Sequence, residues 1–292
     1  MNRKRILTQN NEALAAALNF QKQNLTPTVH NTDFHEARRE YPYFGYIDVL
    51  VDDVGFVMYS NNDDIVAQSY FWYGPNGYEP FSVRLFKEMA RNSTYIFDIG
   101  SFTGLFSLSA AVANPKAKVT AYEPSRSTWE RAKINFVVNR LGTKIDLRNV
   151  AMSNKAEQIT LKHFRGHLTL QSGASFLEKE GKEIYSVEVI NTVIGDNEVA
   201  EIGGMDLAKI DVEGAELSVL KGLEKTIKTK RPKILIEVEP LNYKSVKSFF
   251  KKHDYKFLFV DDDNSKILET DVGSKKVLNY LALPSETDVP SL

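Results

Sequence analysis

From residue 95 onward, short apolar runs alternate with longer amphipathic ones. Runs at 95–99, 118–122, 145–151, 207–210 and 234–238 have the length of strands, while segments around 103–113, 125–140, 214–228 and 242–252 read as helices. Strands that alternate with helices pair in parallel, because parallel neighbours need long crossover connections. The pattern predicts an α/β fold: a Rossmann-like, mainly parallel twisted sheet with helices on both faces. Residues 276–283 read as a final strand returning into it.

Upstream, residues 8–24 form an Ala/Leu/Gln-rich helical segment, and 25–42 mix Pro, Asn, Asp and His without periodicity. Apolar runs at 46–51 and 56–59 flank Asp52-Asp53-Val54-Gly55, which predicts a hairpin. An aromatic stretch, Tyr70-Phe71-Trp72-Tyr73, precedes the turn-rich Gly74-Pro75-Asn76-Gly77 and a helix carrying Phe81, Leu85, Phe86 and Met89. Two further β-like runs, 158–162 and 185–190, bracket a Gly/Ser-rich loop. They read as an insertion near the C-terminal edge of the sheet, where open α/β sheets place ligands. The chain divides into a small α/β extension at 1–62 (a candidate lid or acceptor-recognition element), a catalytic domain at 63–284 and a tail at 285–292.

The composition is that of an ordinary globular protein: 292 residues, 42% hydrophobic and 26% charged. No apolar run approaches the roughly 20 residues that span a bilayer, and the N-terminal stretch does not read as a signal peptide. A net charge of -1 supplies no field for a phosphate backbone, so nucleic acid is not an expected partner. The absence of cysteine excludes disulfides, thiolate metal sites and cysteine nucleophiles, and fits a cytoplasmic location.

The chemistry concentrates at strand ends. Tyr95-Ile96-Phe97-Asp98-Ile99-Gly100-Ser101-Phe102-Thr103-Gly104 is a strand, a glycine turn and a helix start, where free N–H groups and missing Cβ atoms suit a nucleotide-like ligand. Its spacing is DxGxxxG rather than GxGxxG. An acid there repels a pyrophosphate but can pair with the ammonium of a methionine-like group, directly or through water. Glu123, in Tyr122-Glu123-Pro124 at the end of the next strand, can accept both hydroxyls of a ribose. Two more strands run into carboxylates: Lys209-Ile210-Asp211-Val212-Glu213-Gly214-Ala215-Glu216, and Ile236-Glu237-Val238-Glu239. Several acids therefore converge on one rim.

These segments resemble the FkbM family of S-adenosylmethionine-dependent methyltransferases over roughly residues 63–283. The resemblance rests on the order Gly77-Tyr78-Glu79-Pro80, DIGSFTG, Tyr122-Glu123-Pro124, Asn149-Val150-Ala151-Met152-Ser153, KIDVEGAE, Ile236-Glu237 and Asn279-Tyr280-Leu281-Ala282-Leu283-Pro284. It implies a class I methyltransferase fold, S-adenosylmethionine as donor, and O-methylation of a sugar, glycan or natural product. It also implies that Tyr78 and Glu79 close over the cofactor, with further contacts from Asp98, Gly100, Ser101, Phe102, Gly104, Glu123, Pro124, Ala151, Met152 and Asp211. The family often carries Ala-Asn where Ser101-Phe102 stand here, so a contact from that Asn does not carry over. Its Thr-Leu-Asp is replaced by Thr192-Val193-Ile194, with Asp196 displaced.

Asp211, Glu213 and Glu237 are the candidates to orient or deprotonate an acceptor hydroxyl. Asp211 and Glu237 could instead share Mg²⁺, although spacing reveals no third ligand. Tyr78, Trp72 and Ser175 are candidate acceptor contacts, with core packing the commoner role for the aromatic cluster around Trp72. His163 and His167 read as surface residues at a strand end. The competing readings are a nicotinamide-dependent oxidoreductase and a non-catalytic nucleoside-binding module; oligomeric state is not legible.

Overall fold

A computed structural model describes residues 3–23, 34–164, 170, 174–175, 183–269 and 277–290. The N-terminal part contains helices α1 (Arg3–Gln23) and α2 (Phe34–Glu40) and the hairpin β1 (Gly45–Val51) and β2 (Val54–Ser60). Helices α3 (Ile65–Tyr73) and α4 (Pro80–Ala90) lead into β3 (Tyr95–Ile99), α5 (Leu105–Ala113), β4 (Lys118–Tyr122), α6 (Arg126–Val138) and β5 (Ile145–Arg148). Next come β6 (Ala151–Ser153), β7 (Gln158–Phe164), β8 (Ala174–Ser175), β9 (Ile184–Ile194) and α7 (Gly195–Ile202). The chain continues with β10 (Leu207–Ile210), α8 (Glu216–Gly222), α9 (Glu224–Lys230), β11 (Lys233–Val238), α10 (Tyr243–Lys252), β12 (Tyr255–Asp261), β13 (Lys266–Leu268) and β14 (Leu278–Pro284).

The main sheet has the order β13-β12-β14-β11-β10-β3-β4-β5. Strands β3, β4, β5, β10 and β11 are parallel, and β14 inserts antiparallel between β11 and β12. This is the Rossmann-like class I arrangement, including the returning strand. Chain order reverses at β3, which has β4 on one side and β10 on the other. A doubly wound sheet opens a crevice at such a switch point, beyond the C-terminal strand ends. The buried apolar side chains form two main clusters. One joins α4, α5, the hairpin, α1 and α3; the other contains Val219, Leu220, Ile227, Val246 and Phe250 from α8 to α10. Among the described residues no helix is long and apolar enough to cross a membrane.

Three expected elements differ in detail. The run 145–151 is two strands in two sheets, because Asn149 Nδ2 donates to Glu123 O and Pro124 O at 2.9 Å and turns the chain out of the main sheet. Strand β6 then pairs with β9, and the insertion is a separate sheet ordered β6-β9-β7-β8. The expected helix at 214–228 is α8 and α9, since Asp196 accepts from Lys225 N and Thr226 N and caps a new helix start. Asp196, displaced from the family pattern, thus has a structural task.

Helix α6 and its C-cap residue hold the outer edge of β2 with three residues spaced four apart. Arg131 Nη1 donates to Tyr59 O, Asn135 Oδ1 accepts from Tyr59 N at 2.8 Å, and Asn139 exchanges two bonds with Val57. An edge strand's open N–H and C=O groups are thereby satisfied by side chains on one helical face. Asn135 Nδ2 also donates to Thr103 O in the glycine turn, at 2.8 Å. Asn135→Ala removes partners from both backbone groups, which costs about 1–3 kcal/mol. The expected result in urea denaturation is a lower midpoint with an unchanged m-value.

Candidate active site

The crevice at the switch point is bounded by the glycine turn after β3, the turn after β4, β6, and the Asp211-Val212-Glu213 segment after β10. At Gly100 φ is +82° and an added Cβ would lie 1.7 Å from Asp211 O, so only glycine lets the ends of β3 and β10 meet. At Gly104 φ is +94° and a Cβ would strike the Phe136 ring. The close approach that these glycines allow in this structure is therefore to the protein itself. Three further residues of the site, Glu79, Phe102 and Glu213, have φ between 45° and 49°, in a region that non-glycine residues seldom occupy.

Of the residues expected to contact a cofactor, Gly100, Ser101, Phe102, Glu123, Pro124, Ala151, Met152 and Asp211 line the crevice, as do Tyr78 and Glu213. Glu123 Oε2 accepts from Phe102 N at 2.9 Å and Oε1 from Ser125 N at 2.8 Å. The Thr128 hydroxyl also acts on this carboxyl from the crevice wall. Burial nevertheless pushes this carboxyl up to about 7, against the opposing pull of the Ser125 amide, the Thr128 hydroxyl and the Phe102 amide.

Asp98 stands behind the wall rather than in it. It is 1% exposed, and Oδ2 accepts from Ser107 N and Oγ, capping the first turn of α5. Its Oδ1 is buried without a hydrogen-bond donor, as is Ser101 Oγ on the crevice wall. Burial raises Asp98 to about 6. Trp72 is 0% exposed, edge-on to Phe20 and Phe71, with its indole N–H on Gln68 Oε1. Its place is the core, so its expected role as an acceptor contact is corrected. The backbone of Ser175 pairs with Lys162 in the insertion; its side chain and His167 lie outside the described residues.

Behind Asp211 lies a feature that the motifs did not reveal. Lys209, 1% exposed in β10, places Nζ 3.6 Å from Glu79 Oε2, 3.6 Å from Asp211 Oδ2 and 2.9 Å from Asn279 Oδ1, over the Phe106 ring. Glu237 and Asp262 also face this nest. Each 3.6 Å pair contributes roughly 4–5 kcal/mol of attraction at an effective dielectric of ~20. Desolvating an ion costs several kcal/mol, so one carboxylate alone would leave Lys209 marginal and two hold it charged. Burial pulls the lysine down, but Glu79, Asp211 and Glu237 together carry it above its usual range. The excess acids respond oppositely. Burial first, then Asp211 and Glu79, lifts Glu237 well above the carboxylate range, and burial lifts Glu79 to about 7.

Lys209 could have been noticed as a cation inside an otherwise apolar strand, with an acid two residues on and so on the same face. Glu79 supplies the third carboxylate missing from the expected metal pair: one oxygen from each of Glu79, Asp211 and Glu237 lies within 4.8 Å of the others. The insertion also reaches the crevice, through Leu161 and His163. His163 is part-buried beside Glu188 at 3.3 Å, which corrects its expected surface position. No described residue of 1–62 lines the crevice.

A family model described as Methyltransferase FkbM domain matches residues 98–258. The chain is 31% identical over 149 residues to the hexuronic acid methyltransferase AglP of Haloferax volcanii, which covers 50% of this chain and 57% of that protein. It is 28% identical over 164 residues to the 31-O-demethyl-FK506 methyltransferase FkbM of Streptomyces tacrolimicus, covering 46% and 61%. The chain thus spans about three fifths of each of these relatives. Among solved structures, methyltransferase FkbM from Methylobacillus flagellatus KT aligns at TM-score 0.46 and 14% identity, covering 65% of this chain and 43% of that one.

A carboxyl that titrates higher folded than unfolded binds extra protons in the folded state. Its contribution is complete below about 4.5 and is lost as pH rises through its folded value, about 7 for Glu123. The ligand-free protein should therefore melt lower at pH 8 than at pH 5.5. Glu123→Gln should shrink that difference, as scanning calorimetry at both pH values will read.

Proposed function

Because the chain belongs to the FkbM methyltransferase family, we propose that it transfers the methyl group of S-adenosylmethionine to a hydroxyl oxygen of a sugar, glycan or natural product. The observation that carries this reading is the pairing, across one crevice, of the Glu123 carboxyl at the end of β4 and a glycine turn whose Ser101 Oγ, on the crevice wall, is buried without a hydrogen-bond partner. Groups buried in this way call for a polar ligand. They suit a nucleoside diol at Glu123 and an amino-acid end at the turn. When bound, S-adenosylmethionine supplies a methyl group already activated on sulfur.

The protein's own task is then alignment and proton removal. In our reading Ala151, Met152 and Pro124 form the apolar side of the nucleoside pocket and Tyr78 closes it, whereas Glu79, expected beside the cofactor, is held in the Lys209 nest. Asp211 and Glu213 face the acceptor, orient its hydroxyl and take its proton. Glu237 supports Asp211 from behind, since its raised protonation suits a hydrogen-bond donor to Asp211 better than a primary base. Residues 63–284 form the catalytic unit. Residues 1–62 buttress it, a role favoured over acceptor recognition by their absence from the crevice lining among the described residues.

Two measurements test this. Calorimetric titration with S-adenosylhomocysteine should show one site, with Glu123→Gln weakening it about 10- to 100-fold through lost charge-assisted hydrogen bonds. Release of S-adenosylhomocysteine from the donor against pooled glycans and metabolites should identify the acceptor. On that acceptor Asp211→Asn should lower kcat about 10²- to 10⁴-fold. Near-normal turnover in both Asp211→Asn and Glu213→Gln would remove the proposed base.

A further inference from the structure

The carboxylates of Glu79, Asp211 and Glu237 have the composition and spacing of a divalent-cation site, since Mg²⁺ and Mn²⁺ take hard oxygen ligands. The space beside them already contains a charge. Lys209 Nζ stands 3.6 Å from two of the three carboxylates, and Asn279 Oδ1 anchors it at 2.9 Å. The side chain is 1% exposed and rises from a strand paired on both sides, with β3 and β11. It therefore has no route to swing into solvent and make way for an ion. A metal seated among the three oxygens, of which Asp211 and Glu237 are only half-buried, would stand directly beside the ammonium, and two neighbouring cations repel there.

We propose that Lys209 is the resident cation of this carboxylate nest. It takes the place a divalent metal would hold and fixes Asp211 at the crevice as an oriented negative charge. Lys209 is thus a positioning residue that acts through Asp211. Four separated segments meet at its ammonium: the Glu79 turn before α4, β10 itself, the end of β11 with Glu237, and β14 with Asn279. The significance of this for catalysis rests on the reading of Asp211 given above, but the nest itself does not.

Manganese binding by the full-length protein, followed by electron paramagnetic resonance, tests the inference without an acceptor. Wild type and Lys209→Arg should bind no Mn²⁺ that Asp211→Asn abolishes. Lys209→Met, or Lys209→Gln should the first variant not fold, should acquire one site about tenfold or more tighter than any in wild type. Adding Asp211→Asn should abolish that new site. A Mn²⁺ site in wild type that is lost in Asp211→Asn overturns the proposal. So does a folded Lys209→Met or Lys209→Gln protein with no gain, because a lysine that merely fills space would leave metal affinity unmoved. If neither variant folds, the comparison of wild type with Asp211→Asn decides between the two. A parallel titration of wild type with S-adenosylhomocysteine keeps the outcomes separate: failure there removes the cofactor reading, whereas the manganese result concerns Lys209 alone.

Discussion

The site depends on one close approach, the contact of Gly100 with the carbonyl of Asp211. Strands β3 and β10 meet at the point where chain order reverses, and their ends meet closely only because residue 100 has no side chain. That contact places the glycine turn and the acidic segment after β10 on opposite walls of one crevice. The left-handed conformations of Phe102 and Glu213 follow the same bend. Their strain is stored where the two turns must face each other.

Charge balance is the second constraint. Carboxylates gather at the sheet's C-terminal rim, and a buried lysine offsets part of their charge. Burial first, and the neighbouring carboxylates after it, make Glu79 and Glu237 titrate high, so retained protons offset the remaining charge while Lys209 stays charged. The polar atoms of this nest come from distant parts of the chain, so its formation reports that the whole sheet has assembled.

Much of this was legible in the sequence because local signals and tertiary demands agree. The strands 95–99, 118–122 and 207–210 occur with the boundaries that their apolar runs indicate. Glu123 and the glycine turn lie where a strand-turn-helix pattern puts them. What escaped the reading depends on contacts between segments. Nothing local to 145–151 says that Asn149 will bond back to the turn after β4, and nothing local to 214–228 says that Asp196 will cap a second helix. Lys209 and Glu79 are 130 positions apart and acquire meaning only when they meet. Trp72 misled for a related reason: an aromatic cluster looks the same in sequence whether it faces a ligand or the core. Asp98 was recognisable as a strand-end acid, but not as the cap of α5.

The Asn135 bridge joins the N-terminal hairpin to the glycine turn through a single buried amide, with Tyr59 N on one side and Thr103 O on the other. The hairpin and the turn thus share one side chain, so a change in where that amide sits is felt by both. Strand β2 is in this way moored to the rim of a crevice to which the described residues of 1–62 contribute no wall.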